Sequence, residues 1–126
     1  MKRIWLGAMI ALLFGTQAMA QDEAPQRHES DKGEVLANAK GMTLYVFDKD
    51  RSGKSVCNGA CATAWPPLQA SPSSVGIGGF AVISRDDGSA QWSYKGRPLY
   101  TWIKDQKPGD TTGDGFLNGA WHIAKP

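Results

Sequence analysis

From about residue 33 onward, apolar and polar residues alternate with the period-two rhythm of half-buried strands. One piece of that rhythm occurs twice. GMTLYVFDKD (Gly41–Asp50) returns 55 residues later as GRPLYTWIKD (Gly96–Asp105). Side chains on a strand point alternately to its two faces, so Leu44, Val46 and Asp48 face one way and Tyr45 and Phe47 the other. In the second copy Leu99, Thr101 and Ile103 oppose Tyr100 and Trp102. The likeness extends to the neighbouring Lys40-Gly41 and Lys95-Gly96, and loosely to NGAC…W (Asn58–Trp65) against NGAW (Asn118–Trp121). Two copies are too few for a solenoid and point to one domain made of two related halves.

Turn residues divide the pattern into hairpins. Ala-Lys-Gly in VLANAKGMTLYVF and Lys-Gly in AQWSYKGRPLYTW separate apolar runs at points where Gly supplies a positive φ. Asp86-Asp87-Gly88 is the turn within GFAVISRDDGSAQWSY. Pro98 belongs near a strand start or edge, where its missing N–H is not needed. WPPLQA is extended because prolines forbid helix there, and GAWHIAKP is a closing strand. CNGACATAW is the single short helix, near Cys57–Ala64, entered from Ser55 or Asn58. The expected fold is mainly β, a small antiparallel sandwich or barrel built from two hairpin-containing halves. The halves cover about 33–70 and 88–126 and are joined by 71–87.

The N-terminus changes the charge picture. Met1-Lys2-Arg3, the apolar run Ile4–Phe14 and the small-x-small Ala18-Met19-Ala20 read as a secretory signal peptide over 1–20, cleaved near Ala20. Residues 21–32 (QDEAPQRHESDK) are polar and aperiodic and read as a disordered lead-in to a single domain over 33–126. The whole chain has 14 Lys+Arg against 12 Asp+Glu. Lys2 and Arg3 lie in the signal, so the mature chain is balanced and carries no basic patch suited to nucleic acid or anionic lipid. In an oxidising compartment Cys57 and Cys61 are expected to form a disulfide across one turn, a useful staple for so small a core.

Tyr45-Val-Phe-Asp-Lys-Asp50 and Tyr100-Thr-Trp-Ile-Lys-Asp105 both fit Tyr, four residues, Asp. With CNGACATAWPPL, YKGRPLY and KPGDTTGDGFLNGAWHI, the sequence resembles the bacterial secreted-repeat family with the Y-X4-D motif, also described as predicted lipoproteins. The resemblance spans about Gly33–Pro126. It implies an exported bacterial protein with two repeats and implies no particular reaction. No lipobox Cys follows the cleavage site, which favours a soluble periplasmic or secreted form without a stable membrane anchor.

Candidate chemistry is sparse. Tyr45, Phe47, Tyr100 and Trp102 could form a stacking platform, but a small β domain needs such rings as core, and Trp65, Trp92 and Trp121 read the same way. Asp50 and Asp105 could face each other and share a proton, as in a carboxylate-pair hydrolase; alternatively each bonds the loop that leaves its strand. Asp105, Asp110 and Asp114 are acidic enough for Ca²⁺ but lack EF-hand spacing, so a Gly-rich turn held by Asp and Thr is expected. Cys57 and Cys61, with His122 and Met42, could handle Cu(I) in a redox or copper protein; a structural disulfide is the expected reading. No hydrolase, zinc or phosphate-loop motif occurs. The expectation is a non-enzymatic envelope domain with no cofactor or metal, whose partner is an envelope protein or small ligand.

Overall fold

The computed structural model describes residues 24–126. The signal peptide, its cleavage point and the first residues of the lead-in lie outside these residues. Eight strands follow in chain order: β1 (Gln26–Ser30), β2 (Gly33–Ala37), β3 (Tyr45–Phe47), β4 (Gln69–Ala70), β5 (Phe80–Ser84), β6 (Ala90–Tyr94), β7 (Arg97–Pro98) and β8 (Trp121–Ile123). A short helix α1 (Ala60–Ala64) precedes β4, and a single turn α2 (Phe116–Gly119) precedes β8. All strand ladders are antiparallel.

The mainly β expectation holds, with corrections. The sheets are β1–β2, β3–β8 and β4–β6–β5 with β7 also on β6, and among the described residues no barrel closes. Gln26–Ser30, expected to be disordered, is strand β1, paired with β2 from Gln26↔Ala37 to Ser30↔Gly33. Its polar side chains gave no burial signal; main-chain hydrogen bonds to β2 hold it. Each half therefore begins earlier than expected, at β1 and at β5, and the segment between them shrinks to 71–79. The helix is also shorter than expected. It starts at Ala60 behind Gly59 (φ 60°), with no side-chain cap from Ser55 or Asn58.

The hairpins form where turn chemistry placed them. Lys95 (φ 51°) and Gly96 (φ 83°) are both left-handed, so a two-residue turn joins Tyr94 to Arg97. Pro98 sits in the two-residue β7, which pairs on one side only.

The halves exchange their last strands. β8 of the second half pairs with β3 of the first, and β4 of the first pairs with β6 of the second. Two rings of main-chain hydrogen bonds close this exchange. Leu36 N–H donates to Ala124, Ala124 to Leu44 and Leu44 to Leu36; Trp92 donates to Leu68, Leu68 to Leu99 and Leu99 to Trp92. Neither half contains a complete ring of its own, so main-chain hydrogen bonds interlock the two halves.

The alternation within the repeated phrase separates two buried clusters. Leu44, Val46 and Leu99 lie with Leu36, Leu68 and Trp92. Tyr45, Phe47, Tyr100 and Trp102 lie on the opposite side with Trp65 and Trp121.

Candidate functional site at the duplicated tyrosines

Tyr45 and Tyr100 lie where the two halves meet. Each donates its main-chain N–H to the other's carbonyl, at 2.7 and 3.0 Å. Both rings are fully buried. In both copies the chain turns just before the Asp, with Asp50 N–H donating to the Phe47 carbonyl and Asp105 N–H to the Trp102 carbonyl, and each tyrosine meets the Asp of the other copy. Tyr45 Oη donates to Asp105 Oδ2 at 2.7 Å, and Tyr100 Oη donates to Asp50 Oδ2 at 2.6 Å.

The surroundings of the two pairs differ. Asp105 Oδ1 accepts from the Thr112 N–H at 2.9 Å and the Thr112 hydroxyl at 2.6 Å. Gly113 N–H donates to Tyr45 Oη at 3.2 Å. Gly113 must be glycine: a Cβ there would sit 2.7 Å from Trp65 and 2.9 Å from Trp102. Asp50 Oδ1 accepts one main-chain bond, from Val56 at 2.8 Å. Tyr100 Oη spends its proton on Asp50, so Ser55 donates to it, at 2.7 Å. Ser55 is held in turn by the buried Arg85 guanidinium, which also donates to Gln91 Oε1, the Cys57 carbonyl and Asn58 Oδ1.

These environments move the titrations. Burial, followed by the hydrogen bond to Asp105, pushes the Tyr45 phenol well above the ordinary tyrosine range. Burial and the bond to Asp50 do the same to Tyr100. The Asp50 carboxyl is raised because burial outweighs the bonds from Tyr100 and Val56. The phenols are therefore fixed proton donors to their carboxylates rather than acids that ionise near neutral pH.

Above the tyrosines, four rings stack in the order Trp102, Trp65, Trp121, Phe47, with centroid separations of 4.0, 3.8 and 4.2 Å. Trp65 and Trp121 are duplication counterparts and lie nearly parallel at 3°. Tyr45 meets Trp65 edge-on, as Tyr100 meets Trp121. Trp92 is buried in the other cluster. The aromatic residues are therefore core, as a small domain requires.

The remaining candidates separate. Asp50 and Asp105 do not pair with each other, since both oxygens of each accept bonds from other groups. Cys57 and Cys61 form the disulfide. His122 bonds Asp48, not the cysteines, and among the described residues no three His, Cys, Asp or Glu gather as a metal site. Asp110 accepts from the Gln106 and Lys107 N–H groups, and its carboxyl is held down at about 2, first by the Lys107 side chain. Asp114 accepts from Lys32 and the Ile123 N–H. The acidic loop is thus a turn held by Asp and Thr.

Arg85, Ser55, Gln91 and Gly113 were not legible as site residues. Arg85 sits within Ser-Arg-Asp-Asp-Gly, a sequence that reads only as an exposed turn.

No helix among the described residues is long and apolar enough to cross a membrane. No curated protein and no solved structure matches the chain. A family model described as a secreted repeat of unknown function matches twice, over residues 26–69 and 81–125, each beginning at or within one residue of the hairpin that opens a half. The two matches cover more than half the chain and correspond to the two exchanged halves, and the chain belongs to that family of secreted repeats.

Proposed function

We propose that the protein is a non-enzymatic binding or interaction domain of the bacterial cell envelope, working in the periplasm. One observation carries this reading. The residues that define the repeat, Tyr45, Asp50, Tyr100 and Asp105, spend their polar groups on one another and on the surrounding main chain and side chains. The signature thus serves the interior and leaves recognition to the surface. An exported repeat family and a charge-balanced mature chain agree with a soluble module that recognises a partner locally.

The test is affinity capture by the tagged mature protein from envelope extract, with mass spectrometry of co-purifying proteins and small molecules. The expected result is a defined ligand or protein retained by the wild type and equally by a folded Asp105→Asn variant. Intrinsic turnover that vanishes in folded Asp50→Asn or Asp105→Asn would overturn the reading.

A further inference from the structure

We propose that the cleft between β3–β8 and the β6–β7 hairpin binds a small organic anion, a carboxylate with a short apolar body. The proposal rests on the binding-domain reading and names its ligand class. The cleft has a volume of about 190 Å³ and is lined by Lys95, Arg97 and Lys125 over an apolar floor that includes Val46 and Ala124, with Tyr94 as a wall. At about 30 Å³ per water it holds some six waters' worth of space. That suits a carboxylate plus a ring-sized apolar group.

The charge arrangement points to an anion. Among the described residues no carboxylate lines the cleft. Among the described residues, only Arg97 of the three cations has an acidic partner, Asp48 at 3.0 Å, and His122 shares that carboxylate at 2.7 Å. Lys125 Nζ donates to the Lys32 main-chain carbonyl, and Lys95 Nζ lies 5.1 Å from the Tyr94 ring centroid. Positive charge thus accumulates locally on a mature chain that is balanced overall. Apolar atoms below and cations at the rim are the two features a site for such an anion needs.

The groups are also held in place. The turn carrying Lys95 is fastened on both sides, by Lys95 N–H to the Gly79 carbonyl and Gly53 N–H to the Gly96 carbonyl, both at 2.7 Å. Val46 belongs to the β3–β8 ladder. The duplication supplies an internal control. The counterparts of Lys95, Arg97 and Lys125 are Lys40, Met42 and Gln69, so the other half keeps one cation of three. Architecture alone did not require the other two, because the second copy of the same architecture lacks them.

The experiment titrates the isotope-labelled mature protein with benzoate and, separately, with its neutral analogue benzamide, and follows backbone amide shifts. Benzoate is expected to give saturable shifts confined to residues 94–97, Val46 and 123–125, and benzamide none. Arg97→Met with Lys125→Gln should raise the apparent Kd about tenfold or more, since charge-assisted bonds are lost. If Arg97→Met disturbs folding by stranding Asp48, Lys125→Gln alone carries the same comparison, because it gives up only a carbonyl contact. Equal shifts with benzamide, an unchanged Kd in the folded variant, or no saturable shift with benzoate each overturn the proposal. A failed titration beside successful capture of a partner rejects the cleft and leaves the binding reading standing. Failure of both rejects both.

Discussion

The Tyr45–Asp105 and Tyr100–Asp50 pairs are the same bond made twice in different settings. Around the first, a Gly-rich loop turns its main chain inward, with Thr112 on the carboxylate and Gly113 on the phenol. Around the second, side chains take over: Ser55 bonds the phenol, Arg85 bonds Ser55, and the Cys57–Cys61 disulfide closes the adjoining loop. Asp105 is almost fully buried, whereas Asp50 is only partly so. The difference shows that the Tyr-to-Asp exchange is the invariant part of this duplicated architecture. The loops that support it were free to diverge, one toward glycine and one toward a covalent link.

The largest effect tests the part the halves share. Tyr45→Ala and Tyr100→Ala should each destabilise by about 3–5 kcal/mol, the usual cost of truncating a buried aromatic ring. Chemical denaturation measures it, and a value near zero for either would break the equivalence of the halves. Hydroxyl removal tests the difference. Tyr45→Phe strands the Gly113 N–H and one Asp105 oxygen in a buried place, which costs about 1–3 kcal/mol. Tyr100→Phe should cost less by the same measurement, because Ser55 keeps Arg85 and Asp50 is nearer solvent. An equal or reversed order would mean that the side-chain setting is the more demanding one.

Replacing both Cys57 and Cys61 with Ser should cost about 2 kcal/mol, the chain-entropy value for so short a loop. Hydrogen exchange should then rise around Ser55–Asn58 while Thr112 and Gly113 stay protected. Loosening of both loops together would contradict their independence. The smallest effect is alkaline. Both phenols titrate higher when folded than unfolded, so their stabilisation is fully present below about pH 10 and is lost as pH rises beyond it. Denaturation midpoints should fall above about pH 10, and more shallowly in Tyr45→Phe. A wild-type midpoint that stays level there would show that the phenols ionise as readily in the folded chain.

Much of the fold could be read in advance from particular residues. Period-two alternation through Leu44–Phe47 and Leu99–Trp102 assigned the two faces correctly, because the pleat leaves side chains no other choice. Turn chemistry at Lys95-Gly96 and Asp86-Asp87-Gly88 set the hairpins. β1 escaped notice because Gln26–Ser30 is held by main-chain bonds, which leave no mark in side-chain pattern. The closing strands Gln69–Ala70 and Trp121–Ile123 were recognised as extended, but their crossing into the opposite half was not.

Local rules therefore established the strands, the turns, the duplication and which rings would be buried, since propensity and pleat act over a few residues. Partners were decided only in three dimensions. Tyr45 takes Asp105 rather than Asp50, and Trp65 stacks on its counterpart Trp121, because the halves exchange strands about their shared Tyr45–Tyr100 contact. Arg85 leaves its surface-like turn to be buried against Ser55 and the Cys57 carbonyl for the same reason. Contacts between distant segments depend on how the sheets meet, and no neighbour along the chain encodes that meeting.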